Sequence, residues 1–201
     1  MIRTLALIVR KPGVTRAEFR DHYETIHAPL ALPHMQGLTH YLRNHVTETL
    51  GGAEPSFDVM TEFGYARPED VEHILGVLQS PEGEAIRRDE LTFMDTARNT
   101  FFAVGEPSLV RGSQAVPEGA VKVAALAKAA AEGALAPLLE LGPSRAVTQP
   151  VLGGPHGEPP WDEVAFLWYD PGVLEDERLR AWAPDAAAAA LVRVEACRTP
   201  L

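Results

Sequence analysis

The segment IRTLALIVRKPGVTRAEFRDHYETIHAPL, residues 2–30, predicts how the fold begins. Its first eight residues are mostly apolar, which is typical of a buried strand. A turn follows at Lys11-Pro12-Gly13. Thr15, with a glutamate three residues later, forms a capping box that begins a helix. Apolar side chains at helical spacing continue to Ile26, and Pro29 with the next proline is expected to end the helix.

The rest of the first half completes a β-α-β-β-α-β order. Strands are predicted over 38–49, 57–65 and 98–104, and helices over 68–78 and 83–93. Gly51-Gly52 is predicted to lie in a loop. This order is that of the ferredoxin-like split βαβ unit, in which an antiparallel sheet carries both helices on one face. The predicted fold class is α+β.

The second half is predicted to repeat this order. Strands are expected over 121–124, 144–152, 161–169 and 189–197, and helices over 129–141 and 172–182. Phe57-Asp58 precedes Tyr65 with the spacing by which Trp161-Asp162 precedes Tyr169. We therefore predict two domains, 1–105 and 120–201, joined by a linker over 106–119 that contains proline and glycine.

Each predicted sheet has one face without helices, and that face must be buried. In a tandem repeat the simplest partner is the other sheet, which predicts an intramolecular dimeric α+β barrel. The chain would then be a monomeric pseudo-dimer, although a homodimer stays open. A small-molecule pocket is expected either in the first repeat or between the sheets.

Composition excludes several classes of protein. The 18 basic and 28 acidic residues give a net charge of −10, which argues against general nucleic-acid binding and against anionic membrane surfaces. No apolar run reaches the ~20 residues that a membrane helix needs, and the first residues lack a signal-peptide pattern. We expect a cytoplasmic protein. The excess of arginine over lysine and the alanine runs suggest a bacterial source.

Several motifs, in the same order, resemble the EthD family. They are Arg10–Phe19, His22-Tyr23, His27–Leu30, Pro33, Gly37, Tyr41–His45, Asp58–Phe63 and Ser80–Gly83. The resemblance covers about residues 1–105 and implies the dimeric α+β barrel and a role on small molecules without a cofactor. Relatives are linked to ether degradation and to lyase, dehydratase or cyclase steps on aromatic polyketides. Related barrels include monooxygenases that use no metal or flavin.

Two histidines of the first helix are candidate catalytic residues. At ~100° per residue, His22 and His27 fall on opposite edges of the apolar stripe, five residues apart, so no shared metal is predicted. His27 ends the helix, where the dipole favours a cation and is expected to raise the pKa. The resemblance implies that His27 points into the cavity. The alternatives are that His27 caps the last carbonyls and that His22 is a half-buried surface residue.

Three further candidates lie on the second and third strands. Tyr41 and His45 share a strand face and could orient or protonate a substrate oxygen, unless that face is an exposed polar one. Glu62 is either a buried base with a raised pKa or the partner of Arg43 across the sheet.

The remaining motifs favour no other chemistry. There is no Gly-x-Gly-x-x-Gly, P-loop or Gly-x-Ser-x-Gly sequence, so nucleotide cofactors and serine hydrolysis have no support. The single Cys197 excludes an internal disulfide and is interpreted as a structural thiol. His156, in the second half, is expected to have no role.

These observations predict a cofactor-independent enzyme, with no bound metal, that acts on a small apolar oxygenated or aromatic compound. His27, supported by Tyr41 and His45, would perform lyase-, dehydratase- or cyclase-type acid–base steps. Two alternatives stay open. One is a monooxygenase-like oxidoreductase, and the other is a non-catalytic small-molecule-binding protein that serves a degradation pathway.

Overall fold

A computed structural model describes residues 1–52, 54–128, 133–154, 161–182 and 189–201. His156 and the start of the helix predicted over 129–141 lie outside these ranges. The strands are β1 (Ile2–Ile8), β2 (Leu38–Gly52), β3 (Val59–Tyr65), β4 (Thr100–Val104), β5 (Ser108–Arg111), β6 (Val121–Ala127), β7 (Arg145–Gly153), β8 (Glu163–Tyr169) and β9 (Ala190–Arg198). The α-helices are α1 (Arg16–His22), α2 (Ala28–Ala31), α3 (Pro68–Gln79), α4 (Glu84–Phe93), α5 (Ala136–Glu140) and α6 (Glu177–Arg180).

The chain divides into two compact units. Unit 1 contains Met1–His45, Ser56–Phe101 and Ala196–Leu201, and unit 2 contains Val46–Pro55 and Phe102–Glu195. Strands β2, β4 and β9 contribute residues to both. The division into domains 1–105 and 120–201 and the tandem barrel stay predictions.

Unit 1 has the predicted ferredoxin-like strand order, β4-β1-β3-β2. β3 pairs antiparallel with β1 from Ile2 opposite Tyr65 to Ile8 opposite Val59, and antiparallel with β2 on its other side. One face of this sheet packs against the helices. The buried cluster on that face is Ala6, Ile8, Phe19, Tyr23, Ala28, Leu38, Tyr41, Val59, Tyr65, Ile74, Phe93 and Met94.

Unit 2 has the strand order β9-β6-β8-β7-β5. Four neighbouring strands of this sheet, β9-β6-β8-β7, follow the same ferredoxin-like arrangement as unit 1. β6 and β8 pair antiparallel from Val121 opposite Tyr169 to Ala127 opposite Glu163. Fully buried side chains on β6, β8 and the helices, such as Leu138, Leu167 and Leu179, form its core.

Two predictions about local structure are wrong. Gly51-Gly52 belongs to β2 rather than a loop. Glycine is needed at both positions, since a Cβ would lie 2.8 Å from the Trp182 carbonyl oxygen at Gly51 and 2.3 Å from the Ala189 carbonyl oxygen at Gly52. Within the segment predicted as the linker lies β5, which pairs with β7. The helix predicted over 172–182 is a 3₁₀ turn at Pro171–Glu175 followed by the four-residue α6.

The first helix also differs from its prediction. The capping box at Thr15 is present, but α1 ends at His22 and continues as a π-helical turn over Tyr23–His27. The amide of Ala28 closes this turn on the Tyr23 carbonyl oxygen, five residues back. α2 then extends the helix through Pro29, at a position near a helix start where proline is tolerated.

Within the described parts of the chain, no helix has both the length and the apolar character required to cross a bilayer.

Candidate active site

A single carboxylate holds both histidines of the first helix. Asp89, on α4, accepts from His22 Nε2 at 2.7 Å through Oδ1 and from His27 Nδ1 at 2.9 Å through Oδ2. Asp89 and His27 are largely buried, with side chains 11% and 6% exposed. The ring of Phe93, one turn beyond Asp89, lies 4.3 Å from the His22 ring and 5.3 Å from the His27 ring, measured between centroids.

The π-helical turn explains why the two histidines share a partner. The prediction that they lie on opposite edges of the apolar stripe is wrong, because it assumed an α-helical period. In a π turn the backbone hydrogen bonds join residues five apart, so His22 and His27 lie on the same side of the helix. Such turns are frequent at functional sites.

His27 is suited to act as a base. Burial lowers the pKa of His27, and the hydrogen bond and charge of Asp89 act in the opposite direction without cancelling it. The helix-end position was expected to raise the pKa of His27, and that expectation is wrong because burial of the ring is the larger effect. Since Nδ1 donates to Asp89, Nε2 carries the lone pair of the neutral ring.

His27 lines a cavity of about 120 Å³ within unit 1, between the sheet and the helices. The sheet contributes a row of stacked rings: Tyr41 lies 5.2 Å from Phe63, and Phe63 lies 6.2 Å from Tyr65. The helices contribute mostly apolar side chains. These are Tyr23, Val71, Ile74, Leu75, Leu78 and Ile86.

Two polar residues of the cavity wall were not among the predicted candidates. Glu90, beside Asp89 on α4, lines the cavity, and burial together with the neighbouring Asp89 charge raises its pKa. Asn99 also lines the cavity, and its Oδ1 accepts the Val9 amide at 2.9 Å. Ile86, Glu90 and Phe93 have the spacing of one helix face, so the acid could have been found as an interruption of an apolar stripe.

Tyr41 and His45 both lie on the helix-facing side of β2, and both are buried. Tyr41 lines the cavity, and His45 is not among the cavity-lining residues. Burial raises the pKa of Tyr41 well above its usual value, so its hydroxyl is uncharged at neutral pH. The Tyr23 hydroxyl lies 3.2 Å from Thr61 Oγ1 and hydrogen-bonds Tyr41, which fixes both tyrosines on the cavity wall.

Glu24 organises a second polar cluster on this face of the sheet. Arg43 donates to both of its carboxylate oxygens, with Nη2 at 2.6 Å from Oε2, and His45 Nε2 donates to Oε1 at 2.6 Å. Burial acts to raise the pKa of Glu24, but the hydrogen bonds from His45 and Arg43 outweigh it and lower the pKa to about 2. Because the carboxylate is ionised, Nε2 of His45 is the donor, and its buried Nδ1 has no hydrogen-bond partner among the described residues.

Glu62 lies on the other face of β3. Its Oε1 accepts from Asn44 Nδ2 at 2.8 Å, and His40 Nε2 lies 3.6 Å from Oε2. Arg43 pairs with Glu24, so the predicted pairing of Glu62 with Arg43 is wrong. The alternation of β2 places Arg43 toward the helices and away from Glu62.

Cys197 is half-buried beside the Glu24 cluster. Possible ligand atoms of Glu24, His45 and Cys197 lie within 4.8 Å of one another. These three are the residues in the described part of the chain that could approach one cation. In this arrangement Arg43 already occupies the Glu24 carboxylate, and Arg20 Nη2 lies 3.8 Å from the Cys197 sulfur.

Unit 1 is thus an α+β ferredoxin-like unit whose aromatic cavity, between sheet and helices, is lined by the Asp89-bound imidazole of His27. Residues 11–97 match the family model of the EthD domain. No curated protein sequence matches the chain.

Several solved structures resemble the chain, among them the following two. An anthrone oxidase-like protein superposes with a TM-score of 0.60 at 11% identity, covering 98% of this chain and 92% of that one, so the two share a fold. An ethyl tert-butyl ether degradation (EthD) family protein from Bacillus halodurans is 26% identical over 53% of this chain and 98% of its own, with a TM-score of 0.39.

Proposed function

We propose that unit 1 is an enzyme site that moves a proton on a small, largely apolar, oxygenated ring compound, with His27 as the acid–base group. The observation that carries this proposal is the position of His27: its ring forms part of the cavity wall while its Nδ1 is held by the buried Asp89. A carboxylate that fixes the tautomer of a histidine in this way leaves Nε2 to take a proton from a bound compound.

The chemistry follows from the surroundings of His27. Its lowered pKa keeps the imidazole neutral at neutral pH, so Nε2 accepts a proton from a carbon or oxygen acid. Asp89 then stabilises the imidazolium that forms, and His22 is a positioning residue, since it binds the other oxygen of the same carboxylate. Proton removal next to a carbonyl or from a hydroxyl starts enolisation, water elimination and ring closure alike.

A second candidate function is an oxidase reaction that uses the same first step. It is favoured by the structural likeness to a protein named as anthrone oxidase-like. After His27 takes the proton, the carbanion would react with dioxygen. Overall R₂CH₂ and O₂ would give R₂C=O and H₂O, so the substrate carbon is oxidised and dioxygen is reduced.

The test is a proton-exchange assay in D₂O. Cyclohex-2-enone is incubated with the protein, deuterium uptake is followed by NMR, and oxygen consumption is followed with an electrode. General acid–base catalysis contributes about 10²–10⁴-fold, so His27→Ala should lower the exchange rate by that range.

His73→Ala, on the exposed side of α3, is the matched control and should retain the wild-type rate. Exchange without oxygen uptake supports the acid–base enzyme, and oxygen uptake that depends on His27 supports the oxidase. An unchanged rate in a folded His27→Ala protein would contradict both. Binding without exchange would favour the non-catalytic small-molecule-binding protein.

A further inference from the structure

The size of the cavity limits what it can hold. An apolar cavity of about 150 Å³ accommodates benzene, and drug-sized ligands need roughly 300–1,000 Å³. The cavity in unit 1 measures about 120 Å³. It therefore has room for one six-membered ring, and a second or third fused ring would have to lie outside it.

The shape of the wall favours a flat ring. Tyr41, Phe63 and Tyr65 are successive members of a stack, with interplanar angles of 19° and 18°. Tyr41 and Phe63 are also register partners across β2 and β3, so the backbone pairing fixes this stack. Aromatic rings prefer offset or edge contacts with other rings, and a planar ring buries the most surface against such a wall.

Glu90 provides a polar contact on the helix side of the cavity. It lines the same cavity as His27 and follows Asp89 directly in α4, so both acids are fixed by one helical turn. Burial raises the pKa of Glu90, and the adjacent Asp89 charge adds to this effect, with Arg87 opposing it. A carboxyl group that binds a ligand in its protonated form donates a hydrogen bond to a ligand oxygen.

We propose that the cavity selects a single planar six-membered ring bearing a carbonyl or phenolic oxygen, and that Glu90 binds this oxygen as a protonated acid from the cavity wall that it shares with His27. This inference rests on the proposed function, because it identifies the substrate class of the same site. Glu90 stabilises negative charge on the oxygen as His27 Nε2 takes the proton, so the two residues act on opposite parts of one enolisation. The proton leaves the ring carbon or hydroxyl and is held on His27.

The test measures binding separately from proton transfer. Dissociation constants are obtained by ¹H–¹⁵N NMR titration of the full chain with cyclohex-2-enone, with the oxygen-free cyclohexene and with the two-ring 1-tetralone. We expect cyclohex-2-enone to bind at least three times more tightly than cyclohexene, and 1-tetralone to bind at least ten times more weakly than cyclohex-2-enone.

Glu90→Leu tests the role of the acid. A neutral hydrogen bond contributes about 0.5–1.5 kcal/mol, so the variant should bind cyclohex-2-enone about 3–10-fold more weakly and cyclohexene with unchanged affinity. Unchanged cyclohexene binding also shows that the cavity of the variant is folded. Glu90→Gln, whose amide can still donate, should stay within about twofold of the wild type.

Two results would overturn the inference: 1-tetralone binding as tightly as cyclohex-2-enone, or Glu90→Leu leaving the affinity for cyclohex-2-enone unchanged. Failure of the proposed function would give another result. The His27→Ala protein would then bind cyclohex-2-enone with wild-type affinity and exchange the protons of cyclohex-2-enone at the wild-type rate, whatever the result for Glu90.

Discussion

Substituting Glu24 by glutamine should destabilise the protein in a way that depends on pH. The pKa of this carboxyl falls from 4.5 to about 2 because the hydrogen bonds from His45 and Arg43 outweigh the effect of burial. At ~1.4 kcal/mol per pKa unit this corresponds to about 3 kcal/mol at neutral pH. The side chain is 21% exposed, and screening by water reduces the expected loss to about 2 kcal/mol.

The sign of the pH dependence follows from the lowered pKa. A carboxyl whose pKa is lower in the folded state stabilises the protein above its unfolded pKa of 4.5, and this stabilisation disappears as the pH falls through about 2. The difference between wild type and Glu24→Gln should therefore be about 2 kcal/mol at pH 7 and close to zero near pH 2.

Urea denaturation followed by circular dichroism, repeated between neutral and strongly acidic pH, measures this difference. Glu72→Gln, at an exposed position of α3, removes a carboxylate of the same type and should change the free energy of unfolding by less than about 0.5 kcal/mol at each pH. A Glu24→Gln difference that is below ~0.5 kcal/mol at neutral pH, or constant down to pH ~2, would refute the reasoning.

Three further changes have defined outcomes. Arg43→Lys keeps the charge but cannot form the two-oxygen contact with Glu24, so urea denaturation should show a free energy of unfolding that is lower by about 1–2 kcal/mol. In the control Arg67→Lys, where the side chain is 70% exposed, the free energy of unfolding should stay almost unchanged. Gly37→Ala should lower the melting temperature, because φ is +86° and a Cβ would lie 2.4 Å from Asp70 Cγ; Gly76→Ala, in α3 with open space around it, should raise it. Leu167→Ala, at a fully buried position of unit 2, should cost about 2–5 kcal/mol in the same denaturation assay, and a loss under ~1 kcal/mol would contradict the packing described.

The order of helices and strands along the chain could be predicted because local signals and global pattern agree in unit 1. The capping box at Thr15 begins α1 as expected, and the Glu18 carboxylate accepts the Thr15 amide at 2.9 Å. Apolar and β-branched runs located β1 and β3, and Pro68 marks the first residue of α3. These signals act within a few residues of chain, so a single sequence contains them.

The site was harder to predict because its partners come from distant elements. Asp89 lies 62 residues from His27 in sequence, and no local pattern links the two. Glu24 was unassigned because its partners, Arg43 and His45, reach it across the interface between helix and sheet. The residue type alone made His27 a candidate for proton transfer. Its tautomer and its lowered pKa depend on the contact with Asp89 and on burial, which only the fold determines.

The π-helical turn makes the placement of the two histidines separable from the scaffold. A π turn is equivalent to one extra residue within an α-helix, so the segments before and after it are out of phase by one position. Loss of one codon between Tyr23 and His27 would restore a continuous α-helix and rotate the following residues by ~100° relative to α1. Helix α1 and the four-stranded sheet need no change for this to happen, whereas His22 and His27 would no longer reach one carboxylate. A single in-frame deletion would therefore convert the proposed acid–base site into a simple binding cavity, and length differences at this turn are the feature to compare between relatives that do and do not catalyse a reaction.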